Sequence, residues 1–172
     1  MSHKTLETER LLLRKLTPDD YLDAFKWCGD PLVNKFMIYP HYTNAEDVRK
    51  WLETLNPDNP NGYDYGVVLK ETGELIGSAG MYFHPERDAW SFGYNLRHDM
   101  WNKGYTTEAI KAIVDYVRSE RNVKAIQAEH AVDNPASGRI MEKLGLKFIR
   151  YGEYSKFDGS VMFKAKIYRK EF

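Results

Sequence analysis

The sequence predicts an α/β fold of the α+β kind, a mixed and mostly antiparallel sheet of six to seven strands flanked by about four helices. Strand-like runs at 63–70, 75–84 and 89–96 follow one another across short, turn-rich links, as in an antiparallel meander. A helical run at 106–120 then separates the third of these from an apolar strand at 125–132. Strand, helix, strand implies a parallel crossover. Runs at 147–157 and 161–169, split by Asp158-Gly159, make a closing hairpin.

Taken in order, Leu6 to Leu16 roughly alternates apolar and polar residues and reads as one strand. It stops at Thr17-Pro18-Asp19-Asp20, a cluster that opens a helix to about Trp27. Asp30-Pro31 begins a second, short helix. Thr43-Asn44-Ala45-Glu46 has the spacing of a capping box, with Thr43 as the cap of a helix through Leu55. The stretch 57–62 is too short, and too soon followed by regular structure, to be a domain linker. Glu71-Thr72-Gly73-Glu74 and the residues 84–88 supply the meander turns. In the crossover helix Ala109, Ile110, Ile113, Val114 and Val117 recur at helical spacing. Asn134-Pro135 opens the last helix with a cap and a proline at the first position, and Gly145 ends it. No repeat or low-complexity segment appears, so residues 1–172 read as a single domain.

Of the 172 residues 42% are hydrophobic, 29% charged and 14% aromatic, which is globular composition and excludes disordered, collagen-like and coiled-coil classes. Lys and Arg total 25 against 25 Asp and Glu, so no net field favours nucleic acid or an anionic membrane. Any anion site is therefore local. The lone Cys28 cannot form an internal disulfide, and no Cys/His spacing suggests a zinc or other metal site. The start lacks the apolar core of a signal peptide, and no apolar run approaches the ~20 residues that span a bilayer. A cytoplasmic protein is expected.

Two stretches carry chemistry. Trp101, Asn102, Lys103, Gly104, Tyr105, Thr106 and Thr107 form a strand-to-helix loop with glycine where the backbone turns closely. A helix opening there offers unpaired amides and the positive end of its dipole to a phosphate, although a glycine before a helix is also an ordinary turn. Neither the dinucleotide-binding nor the P-loop glycine pattern is present. In the second stretch Asn134 and Ser137 lie one helical turn apart and point to one place beyond the preceding strand. Simple capping is the alternative role for both. The crossover rule brings the two helix openings to the same edge of adjacent strands.

With these stretches in view, the chain resembles the GNAT acetyltransferase superfamily, in the branch that includes N-terminal acetyltransferases of ribosomal proteins. The residues that carry the likeness are Leu6 to Arg14, Gly93-Tyr94-Asn95-Leu96, Trp101 to Ala109, and Asn134 with Ser137 through Gly145. The resemblance implies a sheet splayed between its fourth and fifth strands, with acetyl-coenzyme A wedged in the splay and its pyrophosphate on the 101–107 loop. It implies also that backbone at Asn95 and Leu96 pairs with the pantetheine arm, as an added strand would. The Leu96 amide becomes the expected oxyanion donor, Asn134 a contact to the arm, and Ser137 the group that meets the departing thiolate.

There are departures from the family pattern. Thr106 stands where Gly or Ala is usual, Met141 where some members carry a proton-donating Tyr, and Ser91 where many carry Glu. The general base is therefore open among Glu129, His130, His84 and Asp99, with His130 narrowly ahead of Glu129 because imidazole titrates near neutrality; transfer to water without a dedicated base is equally open. Trp27, Phe36, Met37, Tyr39, Tyr42 and Tyr82 are candidates for an acceptor pocket or for core. Cys28 reads as a packed side chain, not a nucleophile.

The expected activity is N-acetyl transfer from acetyl-coenzyme A, without a metal, to a primary amine, foremost a protein or peptide N-terminus, by direct attack in a ternary complex. A polyamine or antibiotic amine is the alternative acceptor. A non-catalytic coenzyme A-binding regulatory module is the alternative of a different class. The closing strand offers an edge to a second copy, as in a homodimer.

Overall fold

The structure, a computed structural model, describes residues 3–172. Its single sheet has the order β1-β2-β3-β4-β5-β6-β8-β7. The run read as one opening strand is two, β1 (Leu6–Glu7) and β2 (Leu11–Arg14), folded back on each other with Leu6 opposite Leu13. The polar tetrad Glu7 to Arg10 breaks the apolar alternation, and Thr8 closes the turn by donating its amide to the Leu11 carbonyl (2.9 Å). This supplies the eighth strand. The meander is β3 (Gly62–Leu69), β4 (Leu75–His84) and β5 (Ala89–Leu96), followed by β6 (Ala125–Ala131) and the closing pair β7 (Lys147–Ser155) and β8 (Met162–Glu171).

Helices cover both faces. On one side α1 (Tyr21–Cys28), the single turn α2 (Pro31–Asn34) and α3 (Ala45–Glu53) pack Trp27, Cys28, Val48 and Leu52 against Val68 and Leu75. On the other, α4 (Tyr105–Glu120) sets Ile110, Ile113 and Val117 against Tyr65, Met81 and Phe92, each of these three aliphatic side chains contributing roughly 1.5–3 kcal/mol by leaving water. The last helix, α5 (Pro135–Lys143), lies beside α4. The cap of α3 is Asn44 rather than Thr43: its side-chain oxygen accepts from the Glu46 amide (2.8 Å). Among the described residues no helix is long and apolar enough to cross a membrane.

The feature that positions a site is the parallel pair. Strands β5 and β6 touch in register only at Trp90 and Ile126; beyond that point β5 follows β4 and β6 follows β8, so the sheet opens. With the split first strand counted once, these are the fourth and fifth strands. The Arg97 amide donates to the Ile76 carbonyl on the β4 side (2.8 Å), and antiparallel pairing alternates. The amides of Tyr94 and Leu96 consequently face the opening, whereas those of Asn95 and Gly93 face β4.

Candidate active site

Two clefts flank the opening. The first, of about 520 Å³, is lined by Leu96, Trp101, Asn102, Gly104, Tyr105, Thr106 and Thr107 from one side and by Asn134, Ser137 and Arg139 from α5. Asn102 and Gly104 adopt left-handed backbone (φ 61° and 81°), which turns the chain abruptly into α4. The first helical bond runs from the Glu108 amide to the Gly104 carbonyl (3.1 Å), so the amides of Tyr105, Thr106 and Thr107 have no intrahelical acceptor. They suit an anion. Lys103 is outside this lining; its carbonyl accepts from Arg10 Nη1 (2.9 Å). Trp101 donates its indole N–H to the Leu96 carbonyl (2.8 Å), leaving only the Leu96 amide available to a ligand.

The second cleft, of about 580 Å³, opens on the α1–α3 face of the sheet and shares Phe36, Met37, Tyr94, Asn95, Asn134 and Ser137 with the first. At that shared wall the Tyr94 and Ser137 hydroxyls lie 2.6 Å apart. Burial pushes the Tyr94 phenol up, so it stays protonated. Asn134 occupies the cap position of α5 without a side-chain cap bond, and Asn95 accepts from the Tyr39 hydroxyl (2.8 Å).

Cross-strand partners share a face, so Asp64, Gly80 and Gly93 form one row across the floor of the second cleft, with Tyr82 and Ser91 in the next. Tyr82 donates to the Asp64 carboxylate, while burial raises the Asp64 pKa despite that bond. A Cβ on Gly80 would strike the Tyr82 hydroxyl, whereas one on Gly93 would meet nothing within 4 Å. The floor is thus open toward the splay.

The residues weighed as bases separate. Glu129 lines the second cleft, half-exposed, with Arg87 at 3.8 Å. His130 also lines the second cleft but is buried beneath α5; its Nδ1 donates to the Ala131 carbonyl (2.7 Å), its Nε2 has no hydrogen-bond partner among the described residues, and a Cβ on Gly138 would lie 2.7 Å from that nitrogen. His84 reaches the cleft tied to Ser91 (2.9 Å) and Glu86 (3.2 Å). Asp99 lines neither cleft; the Arg97 fork that binds it holds its carboxyl below the usual range. Of the aromatic candidates, Phe36, Tyr39 and Tyr82 line the cleft, with Met37, whereas Trp27 is fully buried core and Tyr42 packs on the same cluster. Burial pushes the Cys28 thiol up to about 12, which suits packing and not attack.

A strap closes the second cleft from above. Residues 34–39, from the last residue of α2 toward α3, are fastened to the closing hairpin by the buried Lys156, whose ammonium donates to the carbonyls of Asn34, Met37 and Tyr39 and to Asn34 Oδ1 (2.8–3.3 Å). Tyr154 adds a bond to the Phe36 carbonyl (2.8 Å). The sequence alone gives no role to the side chains of Tyr94, Asp64 and Lys156. Asp64 had a visible signal, a lone carboxylate in an otherwise apolar strand; Lys156 had none.

Residues 10–147 match the family model described as an acetyltransferase (GNAT) domain. The chain belongs to the GNAT acetyltransferase family. A curated relative is the uncharacterized N-acetyltransferase p20 of Bacillus licheniformis, 29% identical over 147 residues, which cover 84% of this chain and 83% of the relative. Solved structures of the same fold include the microcin self-immunity acetyltransferase MccE with acetyl-CoA and AMP (17% identity, TM-score 0.82, 96% of this chain and 94% of that one). They include also RimL, a ribosomal-protein α-N-acetyltransferase with coenzyme A (17% identity, TM-score 0.80, 98% of both chains). At these identities the likeness to MccE and RimL is one of fold.

Proposed function

We propose that the protein transfers the acetyl group of acetyl-coenzyme A directly to a primary amine, foremost the N-terminal α-amine of a peptide or protein. The observation that carries this reading is the shared wall: two clefts, one fitted to an anion and one floored by Asp64 and two glycines, meet at Ser137 and Tyr94. In this reading the Tyr105, Thr106 and Thr107 amides hold the pyrophosphate, and the Tyr94 and Leu96 amides face the pantetheine arm and the thioester. Asp64 and Glu129 attract the acceptor as its ammonium.

Chemistry then needs three things. The amine loses a proton, to Glu129 or to water reaching the half-open cleft, and its nitrogen attacks the thioester carbon. The Leu96 amide stabilises the tetrahedral oxyanion. As the C–S bond breaks, the electron pair leaves on sulfur, where the Ser137 hydroxyl meets it. RimL and MccE, whose names point to different acceptors, share this fold, so the acceptor depends on the second cleft and not on the fold.

Incubation of the protein with acetyl-coenzyme A and a panel of peptides, polyamines and aminoglycoside-type amines tests the reading. Peptides that gain the mass of one acetyl group at their N-terminus, with release of free thiol, support it. Acetylation of small amines alone moves the acceptor to that class. Coenzyme binding with no acceptor reacting would make the protein a regulatory binding module.

A further inference from the structure

We propose that Tyr94 is a positioning residue for thiolate departure: its phenol donates to Ser137 Oγ and thereby frees the Ser137 proton to meet the sulfur. The inference rests on the acetyl-transfer reading above and assigns a role to a side chain to which the resemblance gave none. Tyr94 projects from β5 and Ser137 from α5, and their hydroxyls, 2.6 Å apart, bridge the place where the sheet has opened. Among the described residues each hydroxyl has the other as its hydrogen-bond partner. Among the described residues Ser137 Oγ makes no hydrogen bond to the backbone of its own helix, so it does not act as a cap.

Two hydroxyls sharing one hydrogen bond hold two protons, and the second O–H is left over. Which one is left over follows from acidity. A phenol, with pKa near 10, is a stronger donor than an aliphatic alcohol, so the Tyr94 O–H is the one used between them and the Ser137 O–H is the one released. Accepting from Tyr94 also polarises the Ser137 O–H and strengthens the bond it makes next. Burial holds Tyr94 protonated, so this arrangement persists over the pH range in which amines react. Both residues line both clefts, which places the free proton where thioester and amine would meet. Neither hydroxyl is consumed: nitrogen gains the acetyl carbon, sulfur leaves with the C–S electron pair, and the proton lost by the amine passes to solvent.

The test titrates the thiol of bound coenzyme A by the ultraviolet absorbance of its thiolate in the wild type, Tyr94→Phe, Ser137→Ala and the double variant. A hydrogen bond to the charged form lowers a pKa. The thiol pKa is expected to be lowest in the wild type, higher by about one unit in Ser137→Ala, almost as high in Tyr94→Phe, and no higher in the double variant. The titratable and charged groups that line the clefts beside the pair, among them Tyr39, Glu129, His130, Arg139 and Tyr154, are common to all four proteins, so differences belong to the pair. With an acceptor that reacts, Tyr94→Phe should lower kcat about tenfold at unchanged KM for acetyl-coenzyme A, and the double variant should be no slower than Ser137→Ala. A wild-type thiol pKa and kcat in Tyr94→Phe, or additive losses in the double variant, overturns the proposal while acetyl transfer stands. A wild type that binds no coenzyme overturns the transfer reading and this proposal with it.

Discussion

Arg10 and Glu108 form an ion pair, Nε to Oε1 at 2.8 Å, that fastens the first hairpin to the first turn of α4. Glu108 also accepts from the Arg10 amide (3.1 Å) and the Thr8 hydroxyl (2.6 Å). Burial works to raise its pKa, yet these hydrogen bonds hold its carboxyl below the ordinary range. An acidic residue next to a candidate anion site would oppose the ligand, and this pairing neutralises it. The same guanidinium holds the Lys103 carbonyl and stacks over Tyr105, 4.4 Å from the ring centre. One side chain therefore sets the shape of the loop and screens its charge.

Arg10→Lys should weaken acetyl-coenzyme A binding about tenfold with kcat little changed, because an ammonium cannot make the ion pair, the carbonyl bond and the ring stack together. Calorimetric titration of the coenzyme checks this. Wild-type affinity in the variant would detach the first hairpin from the loop's function.

Lys156→Met keeps the volume of a buried side chain and removes every bond that ties the strap to the closing hairpin through that residue. The Asn34, Met37 and Tyr39 carbonyls lose a charged donor, a cost of about 1–3 kcal/mol for such a partner. The expected outcome is a melting temperature lower by roughly 2–12 °C, faster proteolysis within 34–42, and a raised KM for the acceptor at unchanged KM for acetyl-coenzyme A. Equal effects on both substrates would mean the strap does not belong to the acceptor side.

Much of this was legible before the fold was known, for identifiable reasons. The bounds of β4 and β5 match their sequence runs because turn residues punctuate both ends, and α4 follows from the spacing of Ile110, Ile113 and Val117. The 101–107 loop was legible because its glycine and helix start are local signals. What was not legible is what the sheet brings together. Tyr94 meets Ser137 across 43 positions, and Lys156 meets Asn34 across 122, and no local pattern encodes such pairings. His130 illustrates the same limit. Its position on β6 was clear, but that α5 would cover it depended on Gly138, which lacks a side chain just where the ring packs.

Asp64 links stability to pH. Burial raises its pKa in the folded protein above the unfolded value near 3.8. Across the window between the two values the folded state binds more protons than the unfolded one, so stability falls as pH rises through it and the penalty is complete only above the folded-state pKa. Asp64→Asn removes the penalty and can still accept from Tyr82. The variant is expected to melt about 3 °C higher at pH 7, to lose that advantage below pH ~3.8, and to show a raised KM for the acceptor ammonium. A lower melting temperature at pH 7 would make Asp64 a structural residue.

Gly104 separates two requirements that a single substitution usually confounds. Its φ of 81° strains any residue with a Cβ, but Asn tolerates that region far better than a β-branched residue. The nearest atom to an added Cβ is Arg10 Nη2 at 3.3 Å, which belongs to a flexible side chain, so crowding by the protein itself is slight. Gly104→Val should therefore lose both stability and coenzyme affinity, whereas Gly104→Asn should fold nearly as well as the wild type and still bind acetyl-coenzyme A about tenfold or more weakly, because its side chain occupies the approach to the α4 amides. Calorimetry on the Asn variant, alongside its melting temperature, decides the matter: wild-type affinity there would mean that no phosphate comes close to this backbone, and the 101–107 loop would revert to an ordinary helix entry.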